Sequence, residues 1–272
     1  MQFIMFTKHL EGLDLAGLIQ ALTGLGLDGA DLCVRPGYPV DPQNVASALP
    51  RAARQFAEAG LEIPLVTAPG DFVRPDMDYA DRLYGACGEA GVRHVKLGYW
   101  HWSAEQHYWD QLDQIRSWVE GFEELSRKHG VQSVVHNHSG NSMGLNSCAA
   151  MNIVRGFDPR LVGVFSDPGH LSICGEPAAM ALDIVRDYLA VVAFKDMVQR
   201  RSVRNGRYTW GKSVVRLGQG LVDWSAVLHA LKRLDFEGAI SFHSEYSGED
   251  VETVVDLTRI DVRFINTLRE AM

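Results

Sequence analysis

Short apolar runs alternate with longer amphipathic segments eight times along this chain, and no other feature constrains its fold as strongly. The runs QFIMF (2–6), GADLCV (29–34), IPLVT (63–67), RHVKLGYW (93–100), SVVHNH (133–138), LVGVFSD (161–167), LAVVAFKD (189–196) and AISFHSEY (239–246) read as strands. Between the first two, Leu15, Leu18, Ile19 and Leu22 keep helical spacing. The segments NVASALPRAARQFAEAG and MDYADRLYGACGEAG follow the next two strands and end at Gly60 and Gly91, natural helix stops. Further helices are read over 105–130, near 144–156, over 176–188 and 224–234, and from near Val251. Strands alternating with helices imply parallel βαβ units. Eight such units imply a closed (β/α)8 TIM barrel, a fold that typically takes about 250 residues. The 272 residues therefore read as one domain, 1–272. An open doubly wound sheet carries a Gly-rich phosphate loop after its first strand. Here that position reads FTKHLEG, without GxGxxG, so no nucleotide cofactor is expected.

A net charge of −8 argues against a nucleic-acid partner, because such affinity rests on Lys and Arg neutralising phosphates. Cys33, Cys87, Cys148 and Cys174 are scattered without CxxC pairing, which suggests reduced packing residues rather than a disulfide framework or a cysteine zinc site. The N-terminal MQFIMFTKHLEGL has an apolar run too short for a signal-peptide core, and no run approaches the ~20 apolar residues of a membrane helix. The expectation is a cytoplasmic protein with no membrane partner.

In a (β/α)8 barrel the active site lies at the C-terminal ends of the strands. Polar residues collect there: Thr7, Lys8 and His9; Arg35; Tyr99, Trp100, His101 and Trp102; His136, Asn137 and His138; Asp167 and His170; Lys195 and Asp196; His243 and Glu245. Five of the 10 histidines fall on this rim (His9, His136, His138, His170 and His243), which favours a site over isolated strand-end polars. Side chains alternate along a strand, so His136 shares a face with His138, and His243 with Glu245. His94, His107, His129 and His229 fall on strand starts or helices and read as packing residues. Trp100 and Trp102 in GYWHW are candidates to stack on a sugar ring, with packing as the open alternative. Arg35 is a candidate clamp for a carboxylate or phosphate, with a surface arginine paired to a neighbouring acid as the open alternative. The segment MVQRRSVRNGRYTWGKSVVR (197–216) reads as a long polar loop with Arg200, Arg201, Arg204, Arg207, Lys212 and Arg216. A lid over an anionic substrate, an oligomer contact and a solvated loop all remain open for it.

Through HNHSG, SDPGH, FKD, LGQGLVDW and GAISFHSEY, over nearly its whole length, the chain resembles the xylose isomerase-like TIM-barrel superfamily. This is the group of sugar phosphate isomerases and epimerases and AP endonuclease family 2. Family members read E-N-H on the fifth strand, D-x-G-H on the sixth, H-x-K-D on the seventh and a Glu on the eighth, and their Glu, Asp, His and Glu bind a divalent metal. The resemblance makes Asp167 a metal ligand and His170 a substrate contact. It also shows departures: His136 stands for the first Glu, Ala193 for the His, and His243 for the last Glu, with Glu245 two residues on.

Two histidines and a carboxylate still make a three-ligand set for Mn, Zn, Co or Mg, so one expectation is a metal held by His136, Asp167 and His243. The other is a metal-free or weakly metallated site, with His136 or His243 as base and Lys195 or Lys8 stabilising the oxyanion. The expected activity is isomerisation or epimerisation of a sugar or sugar derivative through an enediolate, with His136, His243 and Lys195 catalytic. Lys8, Arg35, Trp100, Trp102, His138, His170 and Glu245 are the expected substrate contacts. A keto-sugar or keto-inositol dehydratase or lyase shares the first step and remains open. So does a sugar-binding barrel without catalysis, which Ala193 favours. A DNA-repair endonuclease needs more metal ligands than this rim supplies. The resemblance leaves room for a homo-oligomer.

Overall fold

The structure is a computed structural model that describes residues 1–272, with the side chain of Arg204 excepted. In chain order the elements are β1 (Gln2–Phe6), α1 (Leu15–Leu25), β2 (Gly29–Cys33), α2 (Val45–Glu58), β3 (Glu62–Thr67), α3 (Ala80–Ala90), β4 (His94–Lys96), α4 (Tyr108–His129) and β5 (Gln132–His136). They continue with α5 (Ser147–Val154), β6 (Val162–Ser166), α6 (Pro168–Ile173), α7 (Ala178–Ile184), β7 (Leu189–Phe194), β8 (Asp196–Arg204), β9 (Arg207–Val215), α8 (Trp224–Arg233), β10 (Ala239–Phe242) and α9 (Val251–Glu270). Eight of the strands close in the order β1-β10-β7-β6-β5-β4-β3-β2. The ring shuts where β1 pairs parallel with β10, Gln2 beside Ala239 and Met5 beside Phe242. The expected (β/α)8 barrel is therefore present.

Alternation along the strands builds two cores. Ile4, Leu65, Val134, Phe165, Val191, Ala193 and Ala239 fill the barrel interior, and the larger cluster lies between sheet and helices. Two residues beyond Val134, Phe165 and Ala193, on the same strand face, come His136, Asp167 and Lys195. The apolar plug thus forms the floor on which the mouth residues stand. Ala193 belongs to that floor, with its side chain fully buried.

Four segments differ from the sequence expectation, one of them the eighth barrel strand, which stops at Phe242 instead of Tyr246 and leaves His243 and Glu245 just past its end. The fourth strand stops at Lys96 instead of continuing to Trp100, because Gly98 packs against Gly70: a Cβ there would lie 2.5 Å from the Gly70 carbonyl oxygen. DPGH opens a short helix, α6, in which Asp167 is the N-cap, Pro168 follows it, and the Asp167 carboxylate accepts from the His170 N–H. The expected long loop after the seventh strand is an antiparallel hairpin, β8–β9, from Asp196↔Val215 to Arg204↔Arg207. Asn205 and Gly206 turn it with φ of 52° and 73°, the two positive values a tight hairpin turn requires. Its described side chains from Gln199 to Ser213 are exposed; the side chain of Arg204, one of the predicted loop arginines, lies outside the described residues.

Asp196, expected on the rim, instead ties down the base of this hairpin. Its Oδ2 accepts from the Gly218 and Gly220 N–H groups and from Trp224 Nε1, and its Oδ1 from the Met197 and Val222 N–H groups. Among the described residues, no helix is long and apolar enough to cross a membrane.

Candidate active site

The strand ends β5, β6, β7 and β10 bring His136, Asp167, Lys195 and His243 into one buried cluster. His136 Nε2 lies 3.3 Å from Asp167 Oδ2, and its Nδ1 lies 2.8 Å from Tyr99 Oη. A neutral ring with Nε2–H donating to the carboxylate and Nδ1 accepting from the phenol satisfies both contacts. Burial depresses the His136 pKa to about 3 despite the attraction of Asp167, so the ring is neutral. Lys195 Nζ lies 3.1 Å from Asp167 Oδ2 and 3.0 Å from Glu245 Oε1. Burial disfavours its charge, but the two carboxylates outweigh it and raise the pKa above the ordinary lysine value. Burial likewise pushes Asp167 and Glu245 up, and the Lys195 ammonium overrides it, holding both carboxyls well below their ordinary values.

His243 is arranged differently. Its Nε2 lies 3.4 Å from Asp31 Oδ2 and its Nδ1 3.5 Å from Glu245 Oε1, and neither nitrogen makes an aligned hydrogen bond. Burial opposes its protonation, yet the flanking Asp31 and Glu245 raise its pKa above the ordinary histidine value. Its ring centroid is 5.6 Å from that of His136 and 4.9 Å from that of Phe6.

Of the expected substrate contacts, His170 reaches the cluster: its Nε2 accepts from Lys195 Nζ at 3.1 Å, and its Nδ1 lies 2.9 Å from Ser139 Oγ. His138 lies tilted against it with centroids 4.0 Å apart, and burial, with Lys195 next, lowers the His138 pKa to about 4. Lys8 Nζ lies 3.4 Å from Glu245 Oε2. Trp102 is exposed at the rim. Trp100 is not at a stacking surface: its indole is buried in the outer core and donates from Nε1 to the Val73 carbonyl at 2.9 Å. The shortened β4 brings Tyr99, rather than Trp100, to the cluster. Arg35 forms no ion pair among the described residues, and its buried Nε has no hydrogen-bond partner, so a pairing with a neighbouring surface acid is not what holds it.

Two groups at the mouth, Asp31 and Lys96, went unread in the sequence, and Lys212 was read only as part of a long polar loop. Asp31 lies inside the barrel, held by Thr67 Oγ1 at 2.6 Å and Ser241 Oγ at 3.0 Å. Lys96 is buried with its Nζ 3.6 Å from the centre of the Tyr99 ring. Both are charged residues inside apolar runs, GADLCV and RHVKLGYW, and that anomaly is the signal that marks them. Lys212, from the hairpin, donates to the Ser139 carbonyl at 2.8 Å and to Ser139 Oγ at 2.9 Å, extending the chain of polar contacts to His170.

His136, Asp167 and His243 each offer one ligand atom, and these atoms all lie within 4.8 Å of one another. The donor set of two imidazoles and a carboxylate, with His243 free of hydrogen bonds, fits a divalent ion. The Lys195 ammonium on Asp167 is the competing cation at that position.

A profile of the family described as Xylose isomerase-like TIM barrel matches residues 19–268. Inosose dehydratase of Lacticaseibacillus casei is 24% identical in an alignment 150 positions long that covers 50% of this chain and 48% of the relative, so the match spans about half the length of that curated relative. Among solved structures, 3-keto-D-glucoside 4-epimerase from E. coli superposes with a TM-score of 0.76 at 15% identity, covering 98% of this chain and 99% of the other. An L-ribulose 3-epimerase gives a TM-score of 0.75 at 15% identity over 99% and 96% of the two chains. The probable 3-DHS dehydratase of Bacillus anthracis gives 0.72 at 14% identity over 98% and 99%. At these identities the likeness to solved structures is one of fold. With the profile running through nearly all of the barrel, the chain belongs to the xylose isomerase-like TIM barrel family.

Proposed function

We propose that the protein is an isomerase or epimerase of a sugar or sugar derivative, moving a proton next to a carbonyl through an enediolate. The observation that carries this reading is His243. It is a buried imidazole with neither nitrogen in a hydrogen bond, its ring centroid 5.6 Å from that of His136 in the cluster that holds the Asp167–Lys195 pair.

In this reading His243 takes the proton, and Asp31 and Glu245 stabilise the imidazolium that forms. His136 is neutral and fixed by Tyr99 and Asp167; as its Nε2 proton passes to the substrate, its Nδ1 takes the Tyr99 hydroxyl proton, and the phenol regains a proton from solvent as His243 releases its own. Lys195, cationic and held in place by two carboxylates, stabilises the developing oxyanion. Lys8, Arg35, His138, His170, Trp102 and Glu245 position the substrate. When bound, a divalent ion at His136, Asp167 and His243 supplies Lewis-acid polarisation of the carbonyl. A histidine whose lone pair is ligated is not a base, so the metal-bound and metal-free forms of this site use different proton carriers.

A dehydratase is the second reading, favoured by the match to inosose dehydratase. It shares the proton-abstraction step and differs in expelling a hydroxyl. Incubating D-fructose, D-tagatose and a keto-inositol with the protein, with products followed by NMR, separates the two. A new epimer or isomer supports the first reading, and a product lighter by one water supports the second. No change in any compound counts against both.

A further inference from the structure

The mouth divides into two halves of unlike charge balance. On the β5–β10 side, Asp167 and Glu245 are matched by Lys195, and Lys8 adds a contact to Glu245. On the β2–β4 side the cations are Arg35 and Lys96, and the acid between the strands, Asp31, has its two oxygens engaged by Thr67 and Ser241. The strand register places Cys33, Thr67 and Lys96 side by side in one layer, and Arg35 stands in the loop two residues beyond Cys33, its buried Nε without a hydrogen-bond partner. Lys96 is 2% exposed. It has no ion pair and no hydrogen bond among the described residues, and its Nζ lies over the face of Tyr99. Buried charges are ordinarily paired or hydrogen-bonded, since an uncompensated one is strongly penalised. Burial, and then the nearby Arg35, lower the Lys96 pKa to about 7, outweighing the opposing pull of Asp31 and Glu245.

We propose that Lys96 and Arg35 hold an oxyanion group of the substrate, a carboxylate or a phosphate ester, so that the substrate is an anionic sugar derivative. This rests on the proposed sugar chemistry for its orientation: the anionic end lies over β2–β4 and the carbonyl lies toward His136 and His243. Tyr99 separates the two halves, with its ring on Lys96 and its hydroxyl on His136. A guanidinium presents a planar fork to such a group and an ammonium a point charge, so the pair accepts either anion.

Equilibrium binding tests this without turnover, using inorganic phosphate and D-gluconate as probes in isothermal titration calorimetry. Wild-type protein is expected to bind at least one probe, more weakly as salt is raised, and the probe that binds identifies phosphate or carboxylate as the preferred group. Lys96→Met and Arg35→Met are each expected to weaken that binding at least tenfold, and Lys128→Met, at an exposed lysine on the outer helix α4, to leave it within twofold. Lys96→Met replaces an unpaired buried charge with an apolar chain of similar length, so the variant is expected to fold and its melting temperature serves as the control. If neither probe binds, or if both cation variants bind as the wild type does, the proposal is overturned. Failure of the isomerase reading shows instead as retained anion binding with no change in any sugar.

Discussion

Lys195 Nζ lies 3.1 Å from Asp167 Oδ2, the same carboxylate oxygen that His136 Nε2 approaches at 3.3 Å. A fixed ammonium therefore stands where this set of ligands would hold a divalent ion. Truncating one partner of such a buried pair leaves the other charge uncompensated, which costs about 3–5 kcal/mol. Lys195→Met is expected to lose that much in urea denaturation, and Lys195→Met/Asp167→Asn to recover part of it. With the competing cation gone, Mn²⁺ or Zn²⁺ should raise the melting temperature of Lys195→Met more than that of the wild type. Equal shifts in the two proteins would show that Lys195 and the ion do not compete.

His136 and His243 are both expected to be needed for turnover, although their surroundings differ. His243→Gln and His136→Gln should each lower kcat by about 10²–10⁴ if the side chains transfer protons. Neither variant removes the Asp167–Lys195 contact, so both are expected to keep a wild-type circular dichroism spectrum. A variant with full turnover would remove that residue from the proton path.

The two tryptophans of GYWHW make a paired test of packing against binding. Trp100→Ala empties a buried site and orphans the Val73 carbonyl, with an expected loss of about 3–5 kcal/mol. Trp102→Ala alters an exposed side chain, and its stability should stay within about 0.5 kcal/mol of wild type. A raised KM for Trp102→Ala at unchanged stability would place that ring on the substrate.

Asp261 gives a pH signature remote from the cluster. Its carboxyl accepts from Tyr246 Oη and from the Leu217 N–H. Burial outweighs these bonds and raises its pKa from 3.8 to about 6. The folded state therefore holds this proton to higher pH than the unfolded chain, and the stabilisation is complete below the unfolded pKa. It is lost as pH rises through about 6, and the change is on the order of 2–3 kcal/mol. The stability of wild type minus that of Asp261→Asn, measured from pH 4 to 7.5, should fall with rising pH. A flat difference would contradict the assignment.

The barrel was legible because parallel strands covered on both faces are written as short apolar runs at regular spacing. His136, Asp167, Lys195 and His243 were legible because strand ends converge at one mouth whatever the loops do. Trp100 was misplaced because the alternation of faces holds only while the chain is a strand, and Gly98 breaks it just after Lys96. The hairpin was hidden by its many arginines, although Asn205-Gly206 between two runs containing Val, Tyr and Trp was a direct turn signal. Asp196 looked like a rim residue by position, but β8 begins there and its carboxylate turns to five donors at the hairpin base. Asp31 and Lys96 were passed over because a strand was read for its apolar residues, while their charges were the information.

Solvent-proton exchange tests the central claim most directly. Candidate keto-sugars, neutral and anionic, are incubated with the protein in deuterated buffer, and label at the carbon beside the carbonyl is followed by NMR. The account predicts uptake with the wild type and little or none with His136→Gln or His243→Gln. Saturable binding of a sugar without any label uptake by the wild type would contradict it.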